Sequence, residues 1–164
     1  MLPEAGRARI TVAARRNAEL MRIAFGSDEA TPLTDAIDGW LREHGYEVER
    51  FGALRAGEDD AWTSMAMATA REVARGACSY GIVCCWSGTG ASIAANKIAG
   101  VRAALCGDAV TASAARVWND ANVLALSLRA TSADVAHEIL DAWFKAEPTS
   151  DERYRSMIED LREY

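Results

Sequence analysis

Long apolar runs are missing from this sequence. None approaches the roughly 20 residues that a membrane-spanning helix needs, so no membrane span is expected. Positive charge is also scarce: Lys and Arg total 18 against 24 Asp and Glu, a net charge of −6. Such a chain has no bulk attraction for nucleic-acid phosphates or anionic membranes. Any anionic ligand must be gripped by a few locally placed Arg or Lys. Histidine occurs only as His44 and His137, and no Cys-x-x-Cys pair occurs among Cys78, Cys84, Cys85 and Cys106. A zinc site is therefore not expected. Adjacent Cys84 and Cys85 point to opposite faces of a strand, which makes one of them core-facing and would strain a disulfide between them. A redox thiol function is disfavoured on that ground. There is no secretory signal pattern, internal repeat or low-complexity stretch, and a cytoplasmic location is expected.

What is present is a chain of 164 residues, half of them hydrophobic, enough for one well-buried domain. Residues 1–20 carry four Arg and no strong periodicity and are expected to form a loosely ordered extension. The domain itself is expected over 21–164. MRIAFGS reads as a first strand. Thr31 then supplies an N-cap with Pro32 at the first helical position; Leu33, Ile37, Trp40 and Leu41 make one apolar face, and Gly45 ends the helix. YEVERFG is a second strand and residues 60–75 a second helix, stopped by Gly76. YGIVCC is an unbroken apolar run suited to a strand covered on both faces. ASIAANK is helical, RAALC a fourth strand, Asp108 a cap for a helix to about Val117, and NVLALS a fifth strand. Thr131 and Asp134 predict a capping box for a helix to about Lys145, and a last helix spans about 150–162.

Five strands alternating with helices predict an α/β fold: a doubly wound, five-stranded parallel sheet with helices on both faces, Rossmann-like, in a single domain with a C-terminal helix. Ligands of such sheets sit beyond the carboxyl ends of the strands, so the loops at Asp28, Cys85, Cys106 and Ser127 should share one edge. The loop Cys85-Trp86-Ser87-Gly88-Thr89-Gly90 joins a buried strand to a helix. Its glycines let backbone approach a ligand, and the helix start offers unpaired N–H groups. It is not a Walker loop, since no Gly-Lys-Ser/Thr follows, and Ile93 stands where a dinucleotide fingerprint needs its third glycine. Cys85, at the strand end beside the helix start, is a candidate reactive thiol; packing is the alternative. Cys78, Cys84 and Cys106 are expected to be packing residues.

The stretch GIVCCWSGTGASIAANKIAGVRAALC, with IAFGSD near the first strand and ARVWNDANVLAL before the fifth, resembles the type B ribose-5-phosphate isomerases and their galactose-6-phosphate isomerase relatives. The resemblance runs from about Met21 to Ile158. It implies a metal-free aldose–ketose isomerase with no organic cofactor, acting on a sugar phosphate through a cis-enediolate. By position, Cys85 corresponds to the catalytic base and Ser87 to a proton-relaying hydroxyl. Gly88, Thr89 and Gly90 correspond to the oxyanion-stabilising turn. Asp28 and Asn119 correspond to substrate-hydroxyl contacts, and Arg129 and Arg153 to phosphate-binding arginines. The resemblance also implies a homodimer or tetramer whose sites are shared, with Trp118 and Asn119 reaching the other chain's Cys85.

Three departures from the family pattern stand out. Asp-His becomes Asp28-Glu29, Arg-x-His-Asn becomes Arg116-Val117-Trp118-Asn119, and Arg-His-x-x-Arg becomes Arg153-Tyr154-Arg155-Ser156-Met157. The ring-opening histidine is thus Trp118. His44 closes a helix and His137 lies off an apolar face, both expected at the surface and away from the site. A four-carbon sugar with phosphate on O4 cannot close a five-membered ring, so it needs no ring-opening acid. The expected substrate is therefore an open-chain tetrose or tetrulose phosphate, its pocket shortened by Trp118. Alternatives stay open: a pentose phosphate handled by a rearranged site, or a non-catalytic sugar-phosphate-binding or partner subunit. At single positions, Trp118 is alternatively an interface or core aromatic. Glu29, by its place in the motif, is expected among the substrate contacts and is alternatively a turn cap that would repel phosphate, and Arg129 and Arg153 are alternatively surface ion-pair partners.

Overall fold

A computed structural model describes residues 20–164, so the extension expected over 1–20 lies, but for Leu20, outside the described residues. The elements run β1 (Arg22–Ser27), α1 (Pro32–Glu43), β2 (Glu47–Gly52), α2 (Trp62–Ala74), β3 (Tyr80–Cys85) and α3 (Thr89–Ala95). They continue with β4 (Ala103–Leu105), α4 (Ala109–Asn119), β5 (Val123–Ser127), α5 (Ala133–Lys145) and α6 (Glu152–Glu159), followed by a 3-10 turn at Asp160–Glu163. The strands form one sheet in the order β2-β1-β3-β5-β4, every pair parallel. The fold is the expected Rossmann-like α/β sheet. No helix among the described residues is long and apolar enough to cross a membrane.

Period-two alternation sorts the central strands between two cores. Ile23, Phe25, Ile82, Cys84, Leu124 and Leu126 face α1, α4 and α5, where Ile37, Leu41, Ile139, Leu140 and Trp143 complete a layer of large side chains. Ala24, Val83, Cys85, Val123 and Ala125 face α2 and α3, where Met65, Ala66, Ala70, Ala91, Ala94 and Ala95 make a thinner one. Small residues let α2 lie close to the sheet: a Cβ at Gly26 would collide with Thr69 and Met65. Both adjacent cysteines are therefore buried, one in each core.

The caps follow the sequence with one correction. Thr31 and Thr34 form a reciprocal capping box on α1, and Asp108 accepts the Thr111 N–H to cap α4. For α5 the expected Thr131 box is not formed. Ser132 is the cap and accepts the Val135 N–H at 3.3 Å, while Thr131 is buried with its N–H donated to Ser127 O. The strand end claims Thr131 first. His44 is exposed at the end of α1, its ring stacked 3.8 Å from Trp40. His137 is half-buried rather than on the surface, its Nε2 3.4 Å from Ala36 O, because α5 packs against α1 there.

Candidate active site at the carboxyl edge of the sheet

The strand order determines where a ligand can enter. The chain leaves β1 towards α1 on one face of the sheet and leaves β3 towards α3 on the other. The two loops part, and a crevice opens between them at the carboxyl edge. Ser27 of β1 pairs with Cys84 of β3, and the Asp28 N–H extends that ladder to Cys84 O at 3.3 Å. On the other flank Cys85 pairs with Ser127 of β5. Asp28, Cys85 and Ser127 thus end three neighbouring strands.

Cys85 is 5% exposed, its backbone O accepting the Gly88 and Leu128 N–H groups at 3.1 and 3.0 Å. Gly88 turns the chain with φ +77°, and a Cβ there would stand 2.5 Å from Leu105 Cδ1 and 2.9 Å from the Leu126 backbone. Only glycine fits this corner. Because the Gly88 N–H is already donated, the free backbone donors of the turn are those of Thr89, Gly90 and Ala91, the first turn of α3. Ser87 Oγ and Thr89 Oγ1 share a hydrogen bond of 2.7 Å. The turn therefore presents a pair of hydroxyls and a run of N–H groups beside Cys85.

Asp28 brings negative charge to the same crevice. Its Oδ1 is buried without a hydrogen-bond partner among the described residues. Its carboxyl is held above the usual aspartate range, first by burial and then by the charges of Glu29 and Asp60. An orphan acceptor of this kind suits a ligand hydroxyl. Glu29 is exposed one residue further on, its backbone pinned by Ser27 Oγ, which donates to Glu29 O at 2.6 Å. Arg129 closes the other flank: its N–H donates to Trp86 O at 3.0 Å and its guanidinium stands over the Trp86 ring, 4.9 Å from the centroid. Asp28, Glu29, Cys85, Ser87, Gly88, Thr89, Gly90 and Arg129 are therefore brought to one edge.

Trp118, Asn119 and Arg153 are not among them. Helix α4 starts at the carboxyl edge and runs 11 residues back, about 16 Å. Its last residues, Trp118 and Asn119, lie at the amino edge. Asn119 lines a cleft of about 340 Å³ there, with Asn96, Arg102, Leu161 and Tyr164. Trp118 is half exposed, its ring 6.4 Å from that of Tyr154, and Arg153 is exposed beside Tyr154 on α6. Within one chain these three do not reach Cys85.

Two tryptophans at the site were given no role by sequence alone. Trp62, at the start of α2, packs on the turn: a Cβ on Gly90 would stand 3.0 Å from its ring. Nothing local to Trp62 signals this. Trp86 had a positional signal, since it stands between Cys85 and Ser87 inside the loop that the sequence singled out. The remaining cysteines behave as packing residues. Burial pushes the Cys106 thiol up to about 11, with Asp108 adding to it, and raises that of Cys84 as well. Cys78 is pushed up to about 12 by burial and by Glu49 and Glu72. Those two carboxylates and Cys78 could together hold a metal ion, but Arg22 and Arg75 already pair with them.

A family model described as ribose/galactose isomerase matches residues 23–161. D-erythrulose-4-phosphate isomerase of Pectobacterium atrosepticum is 36% identical over 129 residues, covering 78% of this chain and 85% of that protein. Ribose-5-phosphate isomerase B of Escherichia coli is 39% identical over 129 residues, covering 78% and 86%. Among solved structures, type B ribose 5-phosphate isomerase of Trypanosoma brucei superposes with a TM-score of 0.81 at 34% identity, covering 88% of this chain and 99% of that one. Ribose-5-phosphate isomerase B of Clostridium thermocellum gives 0.79 at 38%, covering 87% and 96%.

Proposed function

The chain belongs to the ribose/galactose isomerase family, and from that premise we propose that it interconverts the aldose and ketose forms of a small sugar phosphate, with Cys85 as the base. The observation that carries this is the carboxyl edge itself. A cysteine, a hydroxyl pair, the N–H groups of a helix start and, among the described residues, an orphan carboxylate oxygen and an arginine without a carboxylate converge there. The Cys85 thiolate takes the proton from C1 of the ketose, giving an enediolate over C1 and C2. The same thiol returns the proton to C2, and the hydroxyl proton passes between O2 and O1 through Ser87. N–H groups of Thr89 and Gly90 stabilise the charge on oxygen. Asp28 accepts a hydrogen bond from a sugar hydroxyl. No step in this sequence calls on a metal or an organic cofactor.

The substrate we favour is an open-chain tetrose or tetrulose phosphate. Support comes from tryptophan at 118, where the related isomerases carry the ring-opening histidine, and from the likeness to an erythrulose-4-phosphate isomerase. The similar likeness to a ribose-5-phosphate isomerase makes a pentose phosphate the competing substrate. The site is shared between two copies of the chain in a homodimer. Support lies in the distance of Trp118, Asn119 and Arg153 from Cys85, and in the apolar strip of α4, where Val110 and Trp118 are 81% and 50% exposed. One copy's amino edge then completes the other's carboxyl edge. Neither nucleic acid nor membrane enters this scheme, and a cytoplasmic location suits it.

Solvent-proton exchange in deuterated water, followed by NMR, tests the proposal with erythrulose 4-phosphate, ribulose 5-phosphate and unphosphorylated controls. Exchange confined to the four-carbon sugar and lost in Cys85→Ala is the expected result. Exchange with ribulose 5-phosphate at an equal rate removes the open-chain argument. Silence with every sugar phosphate removes the catalytic one and favours a binding or partner subunit.

A further inference from the structure

The arginines of this chain divide sharply by partner. Of the eleven whose side chains are described, eight take part in ion pairs: Arg22, Arg42, Arg50, Arg55, Arg75, Arg102, Arg116 and Arg155. In so acidic a chain that is the ordinary fate of a guanidinium. Arg71, Arg129 and Arg153 have no such pair among the described residues. Arg129 alone of these three stands over an aromatic ring, that of Trp86, and alone lies at the edge that carries Cys85.

We propose that Trp86 is a positioning residue, holding the Arg129 guanidinium over its ring so that the donor edge stays free for a phosphate bound beside Cys85. A carboxylate partner would neutralise the guanidinium and occupy the N–H fork that a phosphate needs. A ring face attracts the cation through its quadrupole and takes none of its hydrogen bonds. The backbone holds both side chains in place. Past the Cys85–Ser127 pair the two chains stay hydrogen-bonded: the Leu128 N–H donates to Cys85 O at 3.0 Å and the Arg129 N–H to Trp86 O at 3.0 Å. Ser127 Oγ adds a second donor to Trp86 O at 2.9 Å. Core packing does not account for the indole, which is 62% exposed. Among the described residues its ring contact is with the cation.

The phosphate-binding part of this inference stands without turnover; its kinetic part rests on the proposed isomerase function. Inorganic phosphate, titrated into the full chain and followed by 31P NMR, tests the first part with Trp86→Ala, Trp86→Phe, Arg129→Ala and the double variant. Phosphate affinity should fall about two- to fivefold in Trp86→Ala and stay within about twofold in Trp86→Phe, which keeps a ring. Arg129→Ala should lose at least as much as Trp86→Ala, and the double variant no more than Arg129→Ala alone. With a sugar phosphate that turns over, Trp86→Ala should raise KM by the same factor and change kcat less. Wild-type affinity in Trp86→Ala, losses that add in the double variant, or a loss that merely tracks dissociation of the oligomer would each overturn the inference. A wild-type chain that turns over no sugar phosphate defeats the isomerase proposal alone, because the phosphate titration still decides the role of Trp86.

Discussion

At the amino edge of the sheet, Arg116 is 3% exposed and every direction around it is taken. It donates to Asp120 Oδ1 at 3.0 Å, Ala121 O at 2.7 Å and the Tyr80 hydroxyl at 2.8 Å, and lies over the Tyr80 and Trp143 rings. Asp120 also takes Arg102, and Asn122 ties the Arg102 N–H to Gly100 O. At the carboxyl edge the polar groups are left open instead. Among the described residues Asp28 Oδ1 has no donor, the first N–H groups of α3 lack a side-chain cap, and Arg129 rests on a ring. Satisfied networks hold strands and helices in register, whereas groups left open keep the capacity to bond a ligand. Trp118, Asn119 and Arg153 lie by the satisfied edge yet are exposed, and the proposed sharing of the site between copies rests on that.

The sharpest way to break this contrast is to separate the two edges onto different chains. Cys85→Ala and Arg153→Ala should each be close to inactive, the first by about a thousandfold. Mixed in equal amounts, unfolded and refolded together, they should recover about a quarter of wild-type activity, since half the dimers are mixed and each has one intact site. No recovery in the same exchange assay means that the site does not span two copies.

Arg116→Met tests the amino edge as architecture. It strands Ala121 O and the Tyr80 hydroxyl, and should cost about 2–4 kcal/mol in urea unfolding. A loss below about 0.5 kcal/mol would put Arg116 among ordinary surface residues. Gly88→Ala should cost less, about 1–3 kcal/mol by the same measurement, through its positive φ and the Leu126 backbone. Leu105, the other neighbour, is half exposed and can move aside.

Asp28→Asn should give the smallest change, and one of opposite sign. The folded carboxyl is raised above its ordinary 3.8. Its contribution to stability is therefore complete below the unfolded value and lost as pH rises through the folded one. At neutral pH the ionised group works against the fold, so Asp28→Asn should melt slightly above wild type. That gap should close as pH falls towards 3.8. Weaker substrate binding should accompany it. A variant less stable than wild type at neutral pH would mean that the carboxylate has a partner in the fold.

Most of this architecture was legible along the chain. Short apolar runs marked β1, β3 and β5, the unbroken one being that of β3. Thr31 with Pro32, and Asp108, marked helix starts, and the caps form with residues three positions on, Thr34 and Thr111. The Cys85–Gly90 turn showed itself by its glycines, which only a corner such as that at Gly88 requires. Thr131 misled because its capping pattern is real locally, while the β5 end takes its backbone for another bond. His137 misled because the face it lies on is judged from one helix, and α1 covers it from another.

Composition, hydrophobic period and capping determined the fold class, the element boundaries to within a few residues, and the cysteine at the head of the turn. These are short-range matters, decided by backbone sterics and by which face of one element is apolar. Strand order belonged to the tertiary structure, and strand order decided which loops became neighbours. It placed Asp28 beside Cys85, set Arg129 over Trp86, buried Arg116 under Tyr80, and carried Trp118 and Asn119 to the far edge. Those pairings join residues tens of positions apart, where the free energy comes from burying whole faces of the sheet together, and no local pattern encodes it.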